Sequence, residues 1–554
     1  MTDLYKSRAF VWTLAFFFCV IWFYALDARI LVPTDEGRYA EIAREMVASG
    51  DWITTRLNGI KYFEKPPLQV WMTAITFELF GLGEWQARFW TGLCGLIGIA
   101  AVGYTGRKVF GGRVGFDAAL VLGSSLLWAM LGHINTLDMG LSAMMTLALC
   151  GLLVAQRNDA GSAERRNGML VCWAGMALAV MSKGLIGVVL PGAVLFVYTF
   201  VSRDWAIWKR LHPGWGLVVF FVITMPWFVL VSIDNPEFPH FFFIHEHFQR
   251  FTSKIHHRAG PIYYFVPLLL LGMVPWLGVL AQGFWQGVRN RGNGFQPEKM
   301  LLVWAAFIFF FFSVSSSKLP SYILPIFPAM ALLIACYLRH VTPRVIAINA
   351  GMLALIGLTG LALLNRIPLL AKSDFELPLY TAYLPWVAGG AAIAVCGGVL
   401  GFLARRHTER SVVLIAVAGF LASQCLMLGH DPLGRFAAGF NLVPAVKAEM
   451  TPQTHMYLVN RYEQALPFYL ERTMTLVSHP DEMEFGLGQQ PELWIPDLNV
   501  FVAQWSTRYG TGAREIAIMH PDTYRDLKLR NMPMRVIASD PRRVVVSNQP
   551  QPLP

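Results

Sequence analysis

Long apolar runs separated by short polar connections fill the first 430 positions of this chain. They begin near residues 9, 86, 114, 139, 168, 184, 214, 262, 299, 320, 345, 384 and 411. Each is long enough to cross a hydrocarbon core of ~30 Å, which takes about 20 helical residues. The pattern predicts about thirteen transmembrane helices. A further apolar segment, 66–80, is shorter, and counting it as a span would reverse every later helix. It is predicted to lie at or dip into the outer membrane interface. Beyond Gly429 the hydropathy collapses, and short apolar patches such as "HMYLV" and "EIAIM" alternate with helix-like "RYEQALPFYL" and "PDTYRDLKLR". These predict a small α/β domain over 431–554, following a membrane domain over 1–430, with no internal repeat.

Charge supplies the orientation. The connections "GRKVFGGR", "QRNDAGSAERRN", "SRDWAIWKRLH", "VRNRGNGFQPEK", "RHVTPR" and "ARRHTER" are basic and recur after every second span. The positive-inside rule places them in the cytoplasm with the N-terminus. An odd number of spans then puts the C-terminal domain outside, together with a first loop at 27–86, built on juxtamembrane helices, and a long loop at 234–260. The composition, 55% hydrophobic with 14% charged residues and 18 Trp, excludes a soluble enzyme of ordinary surface-to-volume ratio. The first apolar run follows Lys6 and Arg8 without a small-residue cleavage site, which reads as a retained span. The net charge of +10 is spread over short clusters rather than one stripe, which argues against a nucleic-acid partner. All seven Cys lie in or beside apolar runs, without zinc or CxxC spacing, and read as packing residues.

Charged residues in the external loops are the exceptions to this pattern. The stretch "PTDEGRYAEIAREMVASGDW" places Asp35 and Glu36 at the start of a predicted helix. One carboxylate is explained by capping, with Thr34 as another cap candidate, and the second is less well explained. Asp138 also starts a membrane helix on the external side, where an acid complements the helix dipole; proximity to Asp35 would give it a further role. In "KYFEKPPLQVW", Tyr62, Glu64 and Lys65 stand directly before Pro66 and Pro67, and "FFFIHEHFQRFTSKIHHR" presents His245, Glu246, His247 and Arg250. Lys65 and Arg250 are placed either to anchor headgroups or to hold a lipid phosphate, an attraction of up to ~4 kcal/mol at a partly dry interface. "HEHFQ" is not the HExxH of a zinc peptidase, and residues two apart on a helix diverge. A metal at His245 would need a ligand from elsewhere, and Glu64 qualifies.

The stretch "TDEGRYAEIAREMVASGDWITTRLNGIKYFEKPPLQVW", with "NTLDMGL", "MSKGLIGVVLPG" and "SSSKLPSYILPIFPA", resembles the 4-amino-4-deoxy-L-arabinose lipid A transferases, the ArnT family of the GT-C class. The resemblance implies a polytopic α-helical GT-C fold in the bacterial inner membrane, with a periplasmic active site. It implies an undecaprenyl phosphate aminoarabinose donor, a lipid A phosphate acceptor, and resistance to polymyxin through loss of envelope negative charge. Matched by position, Asp35 and Asp138 become catalytic acids, and Glu36 is placed among the catalytic residues with them. Lys65 and Arg250 become donor-phosphate cations, joined by Tyr62, Lys318 and Tyr322, and Glu64 with His245 become ligands for a divalent metal, zinc or another. The rival readings are another GT-C enzyme, such as a protein O-mannosyltransferase, and a lipid or sugar transporter. A transporter fits poorly, because its polar residues would cluster near mid-membrane.

Overall fold

The computed structural model describes residues 4–249, 260–289 and 294–552. Each of the thirteen predicted segments is helical. Unbroken helices cover Arg8–Tyr24, Glu84–Val109, Leu137–Gln156, Ser162–Lys183, Ile186–Ser202, Pro213–Asp234, Pro297–Val314, Pro343–Ala362, Leu377–Leu403 and Thr408–Leu428. The other three are interrupted. Gly112–Ser124 and Leu126–Leu131 meet at an extended Ser125, and a 3-10 turn, Pro320–Ile326, leads into Phe327–Leu338. Phe265–Gly272 and Leu277–Val288 are bent by 109° where Pro275 withholds a backbone donor. Among the described residues, eight helices are by themselves long and apolar enough to cross a membrane, or up to nine with the bent pair counted as one span. Short or charge-bearing segments account for the difference from thirteen.

The helix Leu137–Gln156 is almost wholly buried inside the bundle. It packs closely on Ser162–Lys183, since a Cβ on Gly151 would stand 2.6 Å from the Gly168 carbonyl oxygen. Small residues at such a crossing let helices associate in lipid, where no hydrophobic drive is available. Outward faces carry Trp12, Phe16, Trp215, Val222 and Phe310, as hydrocarbon contact requires.

The first loop holds the helix Asp35–Ser49, a two-strand hairpin, β1 (Arg56–Leu57) and β2 (Ile60–Lys61), and the helix Leu68–Phe80. Asn58 and Gly59 turn the hairpin with φ of 56° and 77°, the combination that a two-residue hairpin turn demands. Leu68–Phe80 has 13 residues, or roughly 20 Å at 1.5 Å per residue, which is too short to cross.

The C-terminal region contains β3 (His455–Val459), β4 (Thr475–Val477), β5 (Trp494–Ile495), β6 (Glu515–Met519), β7 (Arg535–Asp540) and β8 (Arg543–Ser547). Their order is β5-β4-β3-β6-β8-β7, with the first four parallel and β8 and β7 antiparallel to their neighbours. Strand alternation divides its apolar residues between two cores. Tyr457, Val459, Ala517 and Met519 face the helices Leu498–Arg508 and Pro521–Leu529 through Phe501, Trp505 and Leu527. Met456, Leu458, Ile516 and Ile518 share a core with Tyr39, Ile42, Met46, Leu57 and Tyr62 of the first loop. The α/β domain is thus fused to the first loop by apolar burial. Buried Arg543 instead ties β8 to the helix Asp431–Ala438 that leads into the domain, donating to the carbonyls of Phe436 and Ala437 at 3.2 and 2.6 Å and pairing with Glu463 at 2.9 Å.

Candidate active site beneath the C-terminal domain

Asp35 and Glu36 open one helix, and the 100° rotation per residue sends them to different surroundings. Glu36 is enclosed, with a side chain 1% exposed. Arg29 donates to both its oxygens at 2.7 and 3.1 Å, and Arg88 does the same at 2.7 and 3.1 Å. The backbone amides of Val32 and Asn135 add two bonds at 3.0 Å. Burial alone would raise its pKa, but Arg29 and Arg88 outweigh burial and hold it well below the usual carboxylate range. Glu36, expected from sequence among the catalytic residues, is enclosed in a knot of ion pairs and hydrogen bonds that ties the first loop to the helix Glu84–Val109 and to the Asn135 turn ahead of Leu137–Gln156.

Asp35 faces outward from this knot. The N-cap position belongs to Thr34, whose side chain makes no capping bond, and the Asp35 side chain is 41% exposed. Its Oδ1 stands 3.7 Å from Nη1 of Arg38. The same guanidinium reaches Glu482 Oε2 at 2.7 Å, Tyr62 Oη at 3.4 Å and Gln464 Oε1 at 3.3 Å. Asp138, felt by the same Tyr39 as Asp35, pairs with Lys183 and accepts from Ser321 Oγ at 2.9 Å. Lys183 also lies 4.8 Å from the Tyr322 ring centroid and within electrostatic reach of Asp35. Burial first, and then Asp35, Glu64 and Asp138, raise the pKa of Tyr39, so this phenol remains a donor among three carboxylates. The two external acids therefore share one site, and Asp138 is paired as well as placed at a helix start.

The cation side is built around Lys65. Its ammonium donates to the Glu64 carbonyl at 2.7 Å and to Glu246 Oε2 at 3.1 Å, with Glu64 Oε2 at 3.9 Å. His245 Nδ1 lies 3.7 Å from Glu246 Oε1. Glu64 and His245 thus come to the same neighbourhood, but Lys65 stands between the carboxylates. Among the described residues no three His, Cys, Asp or Glu side chains converge on one point. As they stand, these residues do not fit a metal unless the ammonium moves. Lys318 is buried and donates to the Ser313 and Phe312 carbonyls at 2.7 and 3.4 Å, closing the end of the helix Pro297–Val314. Tyr322 meets Lys183. Arg250, and Lys254 beyond it, lie outside the described residues.

Three residues of the site were not singled out from sequence. Lys183 sits in the tight "SKG" connection, where a lone Lys at a helix end reads as a dipole partner. Arg38 reads as one more charge on an amphipathic helix. Glu482 comes from the C-terminal domain, and only the tertiary fold brings it to Asp35.

Residues 442–548 match the aminoarabinose transferase C-terminal domain family, and residues 64–230 match the dolichyl-phosphate-mannose-protein mannosyltransferase family. The crystal structure of ArnT from Cupriavidus metallidurans bound to undecaprenyl phosphate is 42% identical and covers 98% of both chains, with a TM-score of 0.93. The Sodalis glossinidius undecaprenyl phosphate-alpha-4-amino-4-deoxy-L-arabinose arabinosyl transferase 1 is 34% identical over 499 residues, 86% of each chain. The enzyme of the same description from Edwardsiella ictaluri is 33% identical over 367 residues, 64% of this chain and 65% of that one. The architecture is that of a multi-pass GT-C glycosyltransferase. By the extent and identity of these matches the chain belongs to the ArnT family of aminoarabinose transferases.

Proposed function

We propose that this protein transfers 4-amino-4-deoxy-L-arabinose from undecaprenyl phosphate to a phosphate of lipid A, on the periplasmic face of the bacterial inner membrane. The observation that carries the reading is the near full-length similarity to an ArnT bound to undecaprenyl phosphate. The grouping of Asp35, Asp138 and Lys183, with Glu64 of the neighbouring Lys65 cluster within electrostatic reach of the same Tyr39, supports it. The recurring basic connections support a cytoplasmic N-terminus, which leaves this site outside. Capping a lipid A phosphate with a cationic sugar turns it into a singly charged diester beside an ammonium, which lowers the negative envelope charge that polymyxin and related peptides need.

A lipid A phosphate is already anionic near neutral pH, since a phosphomonoester has a second pKa of about 6. The acceptor oxygen then needs no general base. In this reading Asp35 orients the sugar and stabilises the positive charge that develops at the anomeric carbon. The bond to undecaprenyl phosphate breaks as the acceptor oxygen attacks from the opposite side, giving inversion. Lys65, exchanging Glu246 for the lipid phosphate, neutralises charge collecting on the leaving group, and Arg250 is proposed to join it. The Asp138–Lys183 pair, with Ser321 and Tyr322, fixes a wall of the same site.

The test is mass spectrometry of lipid A from cells with and without the gene. A phosphate-linked aminopentose that depends on the gene is expected, and unmodified lipid A in both strains overturns the reading. Lys65→Ala is expected to weaken undecaprenyl phosphate binding by about tenfold or more, the order of one charge-assisted contact. Unchanged affinity in a direct lipid-binding assay leaves Lys65 as a headgroup anchor only.

A further inference from the structure

The positive-inside rule puts the end of the helix Arg8–Tyr24 and the start of the helix Glu84–Val109 outside, and between them lies a cleft of about 540 Å³. Its walls are aromatic. Trp85 and Phe89, four residues apart on one helix face, have ring centroids 6.2 Å apart. Phe23 stacks on Phe89 at 5.9 Å, and Tyr24 extends the wall. Among the described residues, Asp27 alone brings a charge to the lining, and no cationic side chain pairs with it. Arg29, two positions on, gives its guanidinium to Glu36 and to the His133 carbonyl. The turn that carries Asp27 is nevertheless held firmly, because buried Arg88 donates to the Leu26, Arg29 and Ile30 carbonyls at 2.8, 2.6 and 2.7 Å.

Aromatic rings at a membrane surface are common anchors, and anchoring alone calls for no acid among them. A carboxylate beside ring faces is the setting that recognises an ammonium: the acid supplies the counter-charge, and the π faces attract the cation. The lining offers no Lys, Arg or His to a phosphomonoester, in contrast to the cluster around Lys65. The Tyr24 hydroxyl and the Trp85 indole are donors suited to the single charge of a phosphodiester. The cleft also continues as an apolar track. Trp12, Phe16, Val20 and Tyr24 are all exposed and, at intervals of four residues, line one face of their helix. From Tyr24 to Trp12 the track is about 18 Å long at 1.5 Å per residue, close to the depth of one leaflet of a ~30 Å hydrocarbon core.

We propose that this cleft binds a zwitterionic phospholipid of the outer leaflet, with the headgroup ammonium held by Asp27 inside the aromatic wall and an acyl chain laid along the track from Tyr24 to Trp12. A primary ammonium, one diester phosphate and an acyl chain are the features of a phosphatidylethanolamine. The site is separate from the one in which Asp35 and Lys65 are proposed to act, so the inference does not depend on the proposed function. Arg88 bonds both the Asp27 turn and Glu36, so a lipid seated here braces the entry to the first loop.

The experiment incubates the full-length protein in detergent micelles with equal amounts of phosphatidylethanolamine and phosphatidylglycerol of identical acyl chains, and counts the lipids it retains by native mass spectrometry. The wild type is expected to favour phosphatidylethanolamine by about tenfold, the order of one charge-assisted contact, and D27N to fall to within about twofold of no preference. W85L, which keeps an apolar side chain but removes the ring face, is expected to lose several-fold of the preference, and it carries the test if D27N does not fold. Undecaprenyl phosphate binding is expected to stay at the wild-type level in both variants. A wild type that does not discriminate, or a preference that D27N and W85L leave intact, overturns the inference. So does a second competition in which the wild type, but not D27N, retains undecaprenyl phosphate aminoarabinose over phosphatidylethanolamine, since the ammonium held is then that of the sugar.

Discussion

Asp35→Asn is expected to reduce sugar transfer by about 10³-fold, roughly 4 kcal/mol of transition-state stabilisation, while undecaprenyl phosphate binding stays close to wild type. The substitution preserves volume and removes only the charge. Asp35 is half-exposed, lies 3.7 Å from Arg38 and takes no part in the knot around Glu36, so its loss should not unfold the first loop. Binding should survive because the proposed phosphate contact, Lys65, belongs to a separate cluster with Glu64 and Glu246. The measurement is a pair of assays on the same purified protein, transfer to lipid A and direct lipid binding. Transfer at the wild-type rate removes Asp35 from the mechanism. Loss of lipid binding in parallel with transfer shows that the substitution disturbs the whole site.

Glu36→Gln is expected to have the largest effect on stability. It leaves Arg29 and Arg88 buried without their shared counter-charge, and breaking a buried pair on one side costs about 3–5 kcal/mol. The midpoint of thermal unfolding in detergent should fall, and less folded protein should accumulate in the membrane. The pH dependence follows from the depressed pKa of Glu36. A carboxylate that is easier to ionise in the folded state contributes its stability in full above its unfolded value of about 4.3, and loses it as pH falls through the lower folded value. Wild-type stability from this knot is therefore present at neutral pH and is withdrawn progressively as pH falls below about 4.3. An unchanged unfolding midpoint in Glu36→Gln overturns the structural role.

The two adjacent acids show what could be read from the chain and what could not. Both appear in sequence as first-turn carboxylates, equally fit for capping or chemistry. Their separation depends on Arg29, Arg88 and the Asn135 amide, residues that pattern reading treats as interfacial charge and loop. The helical segments were legible because hydrocarbon imposes a length and a composition on each of them. The shortness of 66–80 was legible for the same reason. Asp138 could be named as a helix-start acid, but its pairing with Lys183 is a contact between separate helices that no local spacing encodes. The α/β character of the C-terminal region also showed in its strand alternation. What alternation cannot reveal is which apolar face meets a partner, and here one face of the sheet is covered by the first loop.

Asn58 gives that join a further consequence. Its side-chain amide donates to the Met474 carbonyl and accepts from the Met474 amide at 2.7 Å, so a hairpin tip is laced to the sheet domain as a neighbouring strand would be. Glu45 receives the Asn58 and Gly59 amides from the other side. An outward loop of polar residues ordinarily tolerates added or lost residues. This one is pegged between its two ends, so the number of residues from Asp35 to Lys65 is itself part of the design. A single inserted residue would have to be absorbed on one side of the Asn58 peg, shifting either the helix that presents the acid or the segment that presents the cation.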